Sequence, residues 1–144
     1  MRVSVAARDG LLRHFLGEQA RDLDATMAPV ADQPSWLIPG YLVEGRDAVR
    51  ALYERTLPTL AEGWIDECIR ALDDPTVIHW GASHCTIVYS HAYPMHFSQG
   101  WIMIVIFDGD RIASEIAYLT RPDKLSGGDL GTAFDELPGV TRTA

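Results

Sequence analysis

Four of the chain's five histidines, His79, His84, His91 and His96, fall within eighteen residues of one another. Imidazole has an ordinary pKa of about 6.5, which suits it to moving protons near neutrality. Two tyrosines stand close by in sequence, Tyr89 inside the band and Tyr118 after it. A buried phenol can donate a hydrogen bond to a developing oxyanion. Together these residue types suit cofactor-free acid–base chemistry, in which a histidine moves a proton next to a carbonyl and a phenol steadies the enolate. A lone strand histidine is more often a hydrogen-bonded structural residue, so the band as a whole carries more weight than any one member. No His-x-His or His-x3-His pair is joined to a nearby carboxylate at metal-ligand spacing, so neither a metal nor another cofactor is expected.

Other residues suit binding rather than proton transfer. Trp36 and Tyr41 form an aromatic pair suited to lining a pocket for a flat ligand, while Tyr53 reads as core. Asp24 lies at the end of a first helix and is a candidate toward the same cavity. Glu115 is expected to be exposed or at a subunit interface.

The elements that must position these groups follow from periodicity. Leu12, Leu16, Ala20, Leu23 and Met27 recur at helical spacing, with Arg13, Glu18, Arg21 and Asp22 on the opposite, solvated face. Pro29 ends that helix, and prolines at 34 and 39 confine Trp36-Leu37-Ile38 to a short edge strand or ordered loop. Arg46 to Leu57 is a second helix with Val49, Leu52, Tyr53 and Leu57 on its apolar stripe, stopped by Pro58. Four strands are then expected: Trp64–Leu72, Thr76–Tyr89 with a bend at Gly81, His96–Phe107 and Arg111–Thr120. Ser90 to Pro94 forms a turn that puts His91 at the rim, and Asp108-Gly109-Asp110 forms a tight hairpin. The tail from Arg121 to Ala144 reads as irregular, with at most a short turn near Ala133–Leu137. Helices gathered on one face of a curved antiparallel sheet make an α+β fold.

The totals agree with one domain spanning residues 1–144. Hydrophobic residues make up 47% and charged ones 22%, the balance of a globular protein. A formal charge of -8 opposes nucleic acid and anionic membrane as partners, because no basic stripe offsets phosphate repulsion. No apolar run approaches the ~20 residues that span a bilayer. Met1–Gly10 has no apolar core of the signal-peptide kind, so a cytoplasmic protein is expected. Cys68 and Cys85, read onto adjacent strands, would lie about 16 Å apart at ~3.3 Å per residue, too far for a disulfide.

Three phrases add a resemblance. They are Arg21-Asp22-Leu23-Asp24-Ala25, Val43-Glu44-Gly45-Arg46-Asp47-Ala48-Val49, and Phe107-Asp108-Gly109-Asp110-Arg111-Ile112 continuing to Tyr118. In this order and spacing the chain resembles the SnoaL-like branch of the nuclear transport factor 2-like superfamily, which includes polyketide cyclase and ketosteroid isomerase-like proteins. The resemblance implies a cone-shaped α+β barrel enclosing a small hydrophobic or polyketide-like ligand, and sheet-to-sheet homodimers. It also implies a catalytic Asp at the end of the last strand, where this chain has Thr120. A threonine hydroxyl is no general base near neutral pH, so proton transfer must fall to other groups. If Phe107 pairs with Arg111, then His96, Ser98, Tyr118 and Thr120 share the face on which the family keeps its Asp. His96 and Tyr118 therefore lead the catalytic candidates, followed by His84 and His91. His79, Tyr89, Ser98 and Thr120 join Trp36, Tyr41 and Asp24 as binding candidates. Gln99, Trp101, Met103 and Glu115 are expected to point away; a slip of one residue reverses the assignment.

The functional expectation is a cyclase, isomerase or dehydratase. Epoxide hydrolysis or epoxide-opening cyclisation is an alternative, weakened by the scarcity of strand carboxylates. A non-catalytic ligand-binding or protein-interaction module is another, consistent with Thr120 in place of the acid. The strand Trp101–Phe107 is apolar on both faces, so its outer face needs cover. Light scattering should therefore find a homodimer; a monodisperse monomer removes that expectation.

Overall fold

The computed structural model describes residues 4–60, 64–73, 78–80, 86–93, 99–119 and 134–143. The first helix, α1 (Val5–Gln19), starts where the Ser4 hydroxyl accepts the Ala7 N–H at 3.0 Å. It ends in a turn at Arg21, whose φ of 58° is left-handed, and Asp22 then caps the short helix α2 (Leu23–Met27). The Arg21 guanidinium fixes that turn by donating to the carbonyls of Leu57 and Leu60. The buried stripe of α1 differs from the expected one. Ala7, Leu11, His14, Phe15 and Glu18 face inward, while Leu16 is 44% exposed. The two polar residues within the stripe break its apolar pattern, so the neighbouring run of leucines is the more conspicuous one in sequence.

Strand β1 (Val30–Ile38) is central, held between β2 (Tyr41–Glu44) and the last strand of the hairpin at the Asp-Gly turn. This corrects the expected edge strand or loop. Pro34 is accommodated because the register shifts between Val30 and Ser35, where ladder hydrogen bonds are interrupted. The next helix, α3 (Arg46–Thr56), buries Val49, Leu52 and Tyr53 as its spacing predicts, and Leu57–Thr59 adds a 3-10 turn. The Arg46 guanidinium ties α3 to the end of α2 and the start of β1 through the carbonyls of Met27, Val30 and Ala31.

Trp64–Asp73 is a helix, α4, where a strand was expected. Ile65, Cys68, Ile69 and Leu72 pack inward at spacings of three, one and three, the period of a helix. The meander follows as β3 (Ile78–Trp80), β4 (Thr86–Tyr93), β5 (Gln99–Asp108) and β6 (Arg111–Leu119). What reads in sequence as one long strand is thus two antiparallel ones, β3 and β4. His91 is in β4 opposite Trp101, not in a turn. In the tail, the turn at 134–137 leads into a strand, β7 (Val140–Arg142), which the sequence pattern does not announce. The described sheet runs β3-β4-β5-β6-β1-β2-β7, with β6 and β1 parallel. No described helix is long and apolar enough to cross a membrane.

Helix α1 packs on β6, α2 and α4, while α3 packs on β1 and β2. Between helices and sheet lies a core built on Leu11, Phe15, Trp36, Val49, Val105, Phe107 and Ile112. The crossing of α1 and α2 depends on Gly17. A Cβ there would lie 2.5 Å from the Thr26 nitrogen, inside backbone that cannot move aside cheaply. In an exposed helix Gly→Ala stabilises by up to ~1 kcal/mol. Here Gly17→Ala should instead destabilise, by about 1–3 kcal/mol as overpacking does, measured as a lowered urea midpoint.

Candidate functional site

The polar groups buried between helices and sheet come from four elements. His14 and Glu18 are one turn apart on α1, Trp36 is on β1, Tyr53 on α3 and Glu115 on β6. His14 is fully buried, and Glu18 and Glu115 are 5% and 6% exposed. The His14 Nδ1–H donates to the Thr26 carbonyl at 2.7 Å, which sets the proton on that nitrogen. Nε2 then lies 2.8 Å from Glu18 Oε1 and 3.0 Å from the Tyr53 hydroxyl. The Trp36 indole N–H donates to the Tyr53 oxygen at 2.9 Å, and the Tyr53 hydroxyl bonds Glu18 in turn. Glu115 lies across from Trp36 in the parallel ladder and across from Val105 in the antiparallel one. Among the described residues its Oε1 has no hydrogen-bond partner.

Burial is the largest influence on His14 and lowers its pKa. The Glu18 charge and hydrogen bond, with help from Glu115 and the Thr26 carbonyl, outweigh it and hold the imidazole up at about 9. For Glu115 burial also dominates and raises the carboxyl to about 7; His14 and a hydrogen bond from Trp36 oppose this and Glu18 adds to it. Burial, then the Glu115 and Glu18 charges, push the Tyr53 phenol well above its ordinary value. The cluster thus holds an imidazolium–carboxylate pair beside a second carboxyl whose proton is exchangeable near neutrality. A carboxyl poised near the working pH is what proton transfer requires.

Several expectations are corrected. Glu115 and Met103 are buried, not directed away. Opposed residues pair as Ile102↔Tyr118 and Ile104↔Ile116, after a bulge at Ala113 shifts the register from Phe107↔Ile112 to Ile106↔Ser114. The odd series, Met103, Val105, Glu115 and Ala117, is the one buried toward the helices, and Ile104, Ile106 and Ile116 of the even series are half-buried. Position 118 belongs to the even series. By pairing, positions 79, 89 and 91 belong to the odd series with Glu115. His84, His96, Ser98 and Thr120 lie outside the described residues, as does Cys85. Trp36 joins the cluster. Tyr41 is buried elsewhere, edge-on to Phe134 with ring centroids 5.3 Å apart and its hydroxyl 3.2 Å from Asp135. Asp24 is a surface residue, its side chain 85% exposed and paired with Arg50 at 2.8 Å. Glu18, expected on the solvated face, is buried. The available signal for it was the His14-x3-Glu18 spacing, a one-turn acid–imidazole pair in line with Ala7 and Leu11.

Among the described residues no group of His, Cys, Asp and Glu could hold a metal ion. A depression of about 440 Å³ lies between α1 and α2, lined by Arg13, Leu16, Gly17, Ala20 and Asp22 among others. It opens on a different face of α1 from His14 and holds none of the buried cluster.

No family model matches the chain, and no curated protein matches it. Solved structures do. An NTF2-like protein from Burkholderia xenovorans is 15% identical with a TM-score of 0.55, covering 93% of this chain and 99% of that one. A steroid delta-isomerase from Pseudomonas aeruginosa is 12% identical with a TM-score of 0.55, over 93% and 89%. A protein from Kribbella flavida is 23% identical with a TM-score of 0.53, over 83% and 90%. The fold is the NTF2-like cone. In that cone α1 and α3 close over the buried face of the sheet, so the five polar side chains occupy the interior between helices and strands.

The cluster makes the NTF2-like cone's stability depend on pH with a definite sign. Both His14 and Glu115 hold protons more tightly folded than unfolded, so the native state binds more protons and stability falls as pH rises. The Glu115 contribution is complete below its ordinary 4.5 and lost through about 7; that of His14 is complete below 6.5 and lost through about 9. Thermal melts should therefore show a midpoint declining from pH 5 to 9. In Glu115→Gln the lower half of that decline should vanish, and a midpoint that rises with pH in the parent protein contradicts the assignment.

Proposed function

We propose that the chain is a cofactor-independent enzyme of the isomerase, cyclase or dehydratase kind, acting on a small apolar carbonyl compound inside the cone. The observation that carries this is the buried Glu115 carboxyl, poised near neutrality beside the His14–Glu18 pair, with one oxygen unpartnered among the described residues. In the proposed step the Glu115 carboxylate takes a proton from carbon α to the carbonyl. The C–H electron pair becomes the enolate double bond, and the carbonyl oxygen takes the negative charge. The resulting carboxylic acid returns the proton to another carbon, or to a leaving hydroxyl. The His14 imidazolium places positive charge near the developing anion, and Tyr53 and Trp36 hold it and Glu18 in place.

The sheet histidines and tyrosines belong to the same proposal. His91, His79 and Tyr89 share the register series of Glu115, which supports a place for them around the substrate. His96, Tyr118 and His84, with Ser98 and Thr120, are proposed on sequence grounds to complete the wall. Membership of the SnoaL-like branch is supported by the three sequence phrases, and a homodimer through the sheet by the doubly apolar strand β5. Steroid delta-isomerase is the name of one structural neighbour at 12% identity, which supports isomerase chemistry only as one case among several.

The test is deuterium uptake at the α-carbon of enolisable cyclic ketones in D2O, followed by NMR. The parent protein should accelerate exchange, with a rate that rises through about pH 7 as Glu115 loses its proton. Glu115→Gln should lower the acceleration by about 10²–10⁴-fold, the usual worth of a general base. Undiminished exchange in that variant overturns the proposal. A parent protein that exchanges no ketone of the panel above the buffer rate does so too, and points to binding without turnover.

A further inference from the structure

The hydrogen bonds of the cluster are unbalanced in one direction. The His14 Nδ1–H is committed to the Thr26 carbonyl, its Nε2–H to Glu18, the Trp36 N–H to Tyr53 and to the Glu115 carboxyl, and the Tyr53 hydroxyl to Glu18. Every described donor has an acceptor, and Glu115 Oε1 is the acceptor left over. Buried acceptors are normally satisfied, and this one is deep in the core.

The charges are unbalanced in the same direction. The groups facing Glu115 are His14 and Glu18 from α1, Trp36 from β1 and Tyr53 from α3. With both carboxyls ionised, one imidazolium stands against two carboxylates among the described side chains. The missing component is therefore a hydrogen-bond donor, and a positively charged one closes both deficits. Val105 flanks Glu115 on the side opposite Trp36 and favours an apolar body.

We propose that the interior site takes a small apolar amine in its ammonium form, with an N–H donated to Glu115 Oε1. This deepens the reading above, on which it rests for the cone interior being a ligand site. It narrows the substrate class to amino-carbonyl compounds in which the ammonium group anchors on Glu115 next to the carbon that exchanges. A neutral alcohol satisfies the acceptor but leaves the charge; a hydrocarbon satisfies neither.

Cyclohexylammonium, cyclohexanol and methylcyclohexane are matched probes that carry no carbonyl and cannot turn over. Titration of the full-length protein by NMR at pH 7.5 should find the ammonium bound at least about tenfold more tightly than the alcohol, with the hydrocarbon weakest. Below about pH 7 the ammonium affinity should fall, approaching about tenfold per unit, as Glu115 takes up a proton, while the alcohol affinity stays level. Glu115→Gln should abolish the preference for ammonium and keep alcohol binding. If that variant does not fold, the pH series on the parent protein decides the matter alone. Equal affinity for ammonium and alcohol, a pH-independent ammonium affinity, or no binding of any probe overturns the proposal. The two readings fail separately: lost amine preference with Glu115-dependent ketone exchange removes only the ligand class. Amine preference without any exchange removes only the chemistry.

Discussion

The His14–Glu18 pair on α1 places charge where the fold would otherwise place hydrocarbon. Taking an imidazolium and a carboxylate out of water costs several kcal/mol per ion, and the pair persists only because each remaining lone pair and proton is matched. Thr26 receives one imidazole proton, Glu18 the other, and Tyr53 fills the next position. That requirement orders the neighbourhood. It pins α1 to α2 through the Thr26 carbonyl and to α3 through the Tyr53 hydroxyl. It also sets β1 at the distance at which the Trp36 indole reaches Tyr53. Glu115 then meets this site stripped of water, and burial, reinforced by the Glu18 charge, holds its proton above the ordinary carboxyl range against the pull of His14 and a hydrogen bond from Trp36.

The backbone outside the cluster serves this arrangement through a few local devices. Gly17 lets α1 and α2 approach closely enough for His14 to reach Thr26. The Arg46 and Arg111 guanidiniums satisfy carbonyls where the chain enters β1, including that of Val30, at the register shift that accommodates Pro34. The extra residue at Ala113 shifts the pairing by one within β6, beside the turn, so that Glu115 stands opposite Val105 and in the row of Trp36. At the far edge, Phe134 is buried against Tyr41, and Asp135 accepts from both Tyr41 and Arg142, which secures β7 along β2. The Arg142 guanidinium, the largest influence, holds the Asp135 carboxyl below its ordinary value.

Parity put positions 102, 116 and 118 in one register series, as the pairing of β5 with β6 does, but could not say which face the helices cover. Both faces of β5 are apolar, so hydrophobicity does not distinguish them, and the buried carboxylate on the helix side disguises it further. The strand expected at Trp64–Leu72 failed for a similar reason. Its apolar residues fit a helical stripe and a continuous buried run about equally well, and only packing against α1 selects the helix.

What the sequence determined by itself was the set of strong local signals. The Asp-Gly hairpin, the glycine entry and apolar stripe of α3, the proline stops and the overall α+β order each depend on neighbours a few residues away. Backbone sterics and turn chemistry express such preferences directly. What only the tertiary structure decided was the interior. His14, Glu18, Trp36, Tyr53 and Glu115 span more than a hundred positions of the chain. Their meaning as a site comes from desolvation and mutual charge, which exist only once the helices close over the sheet.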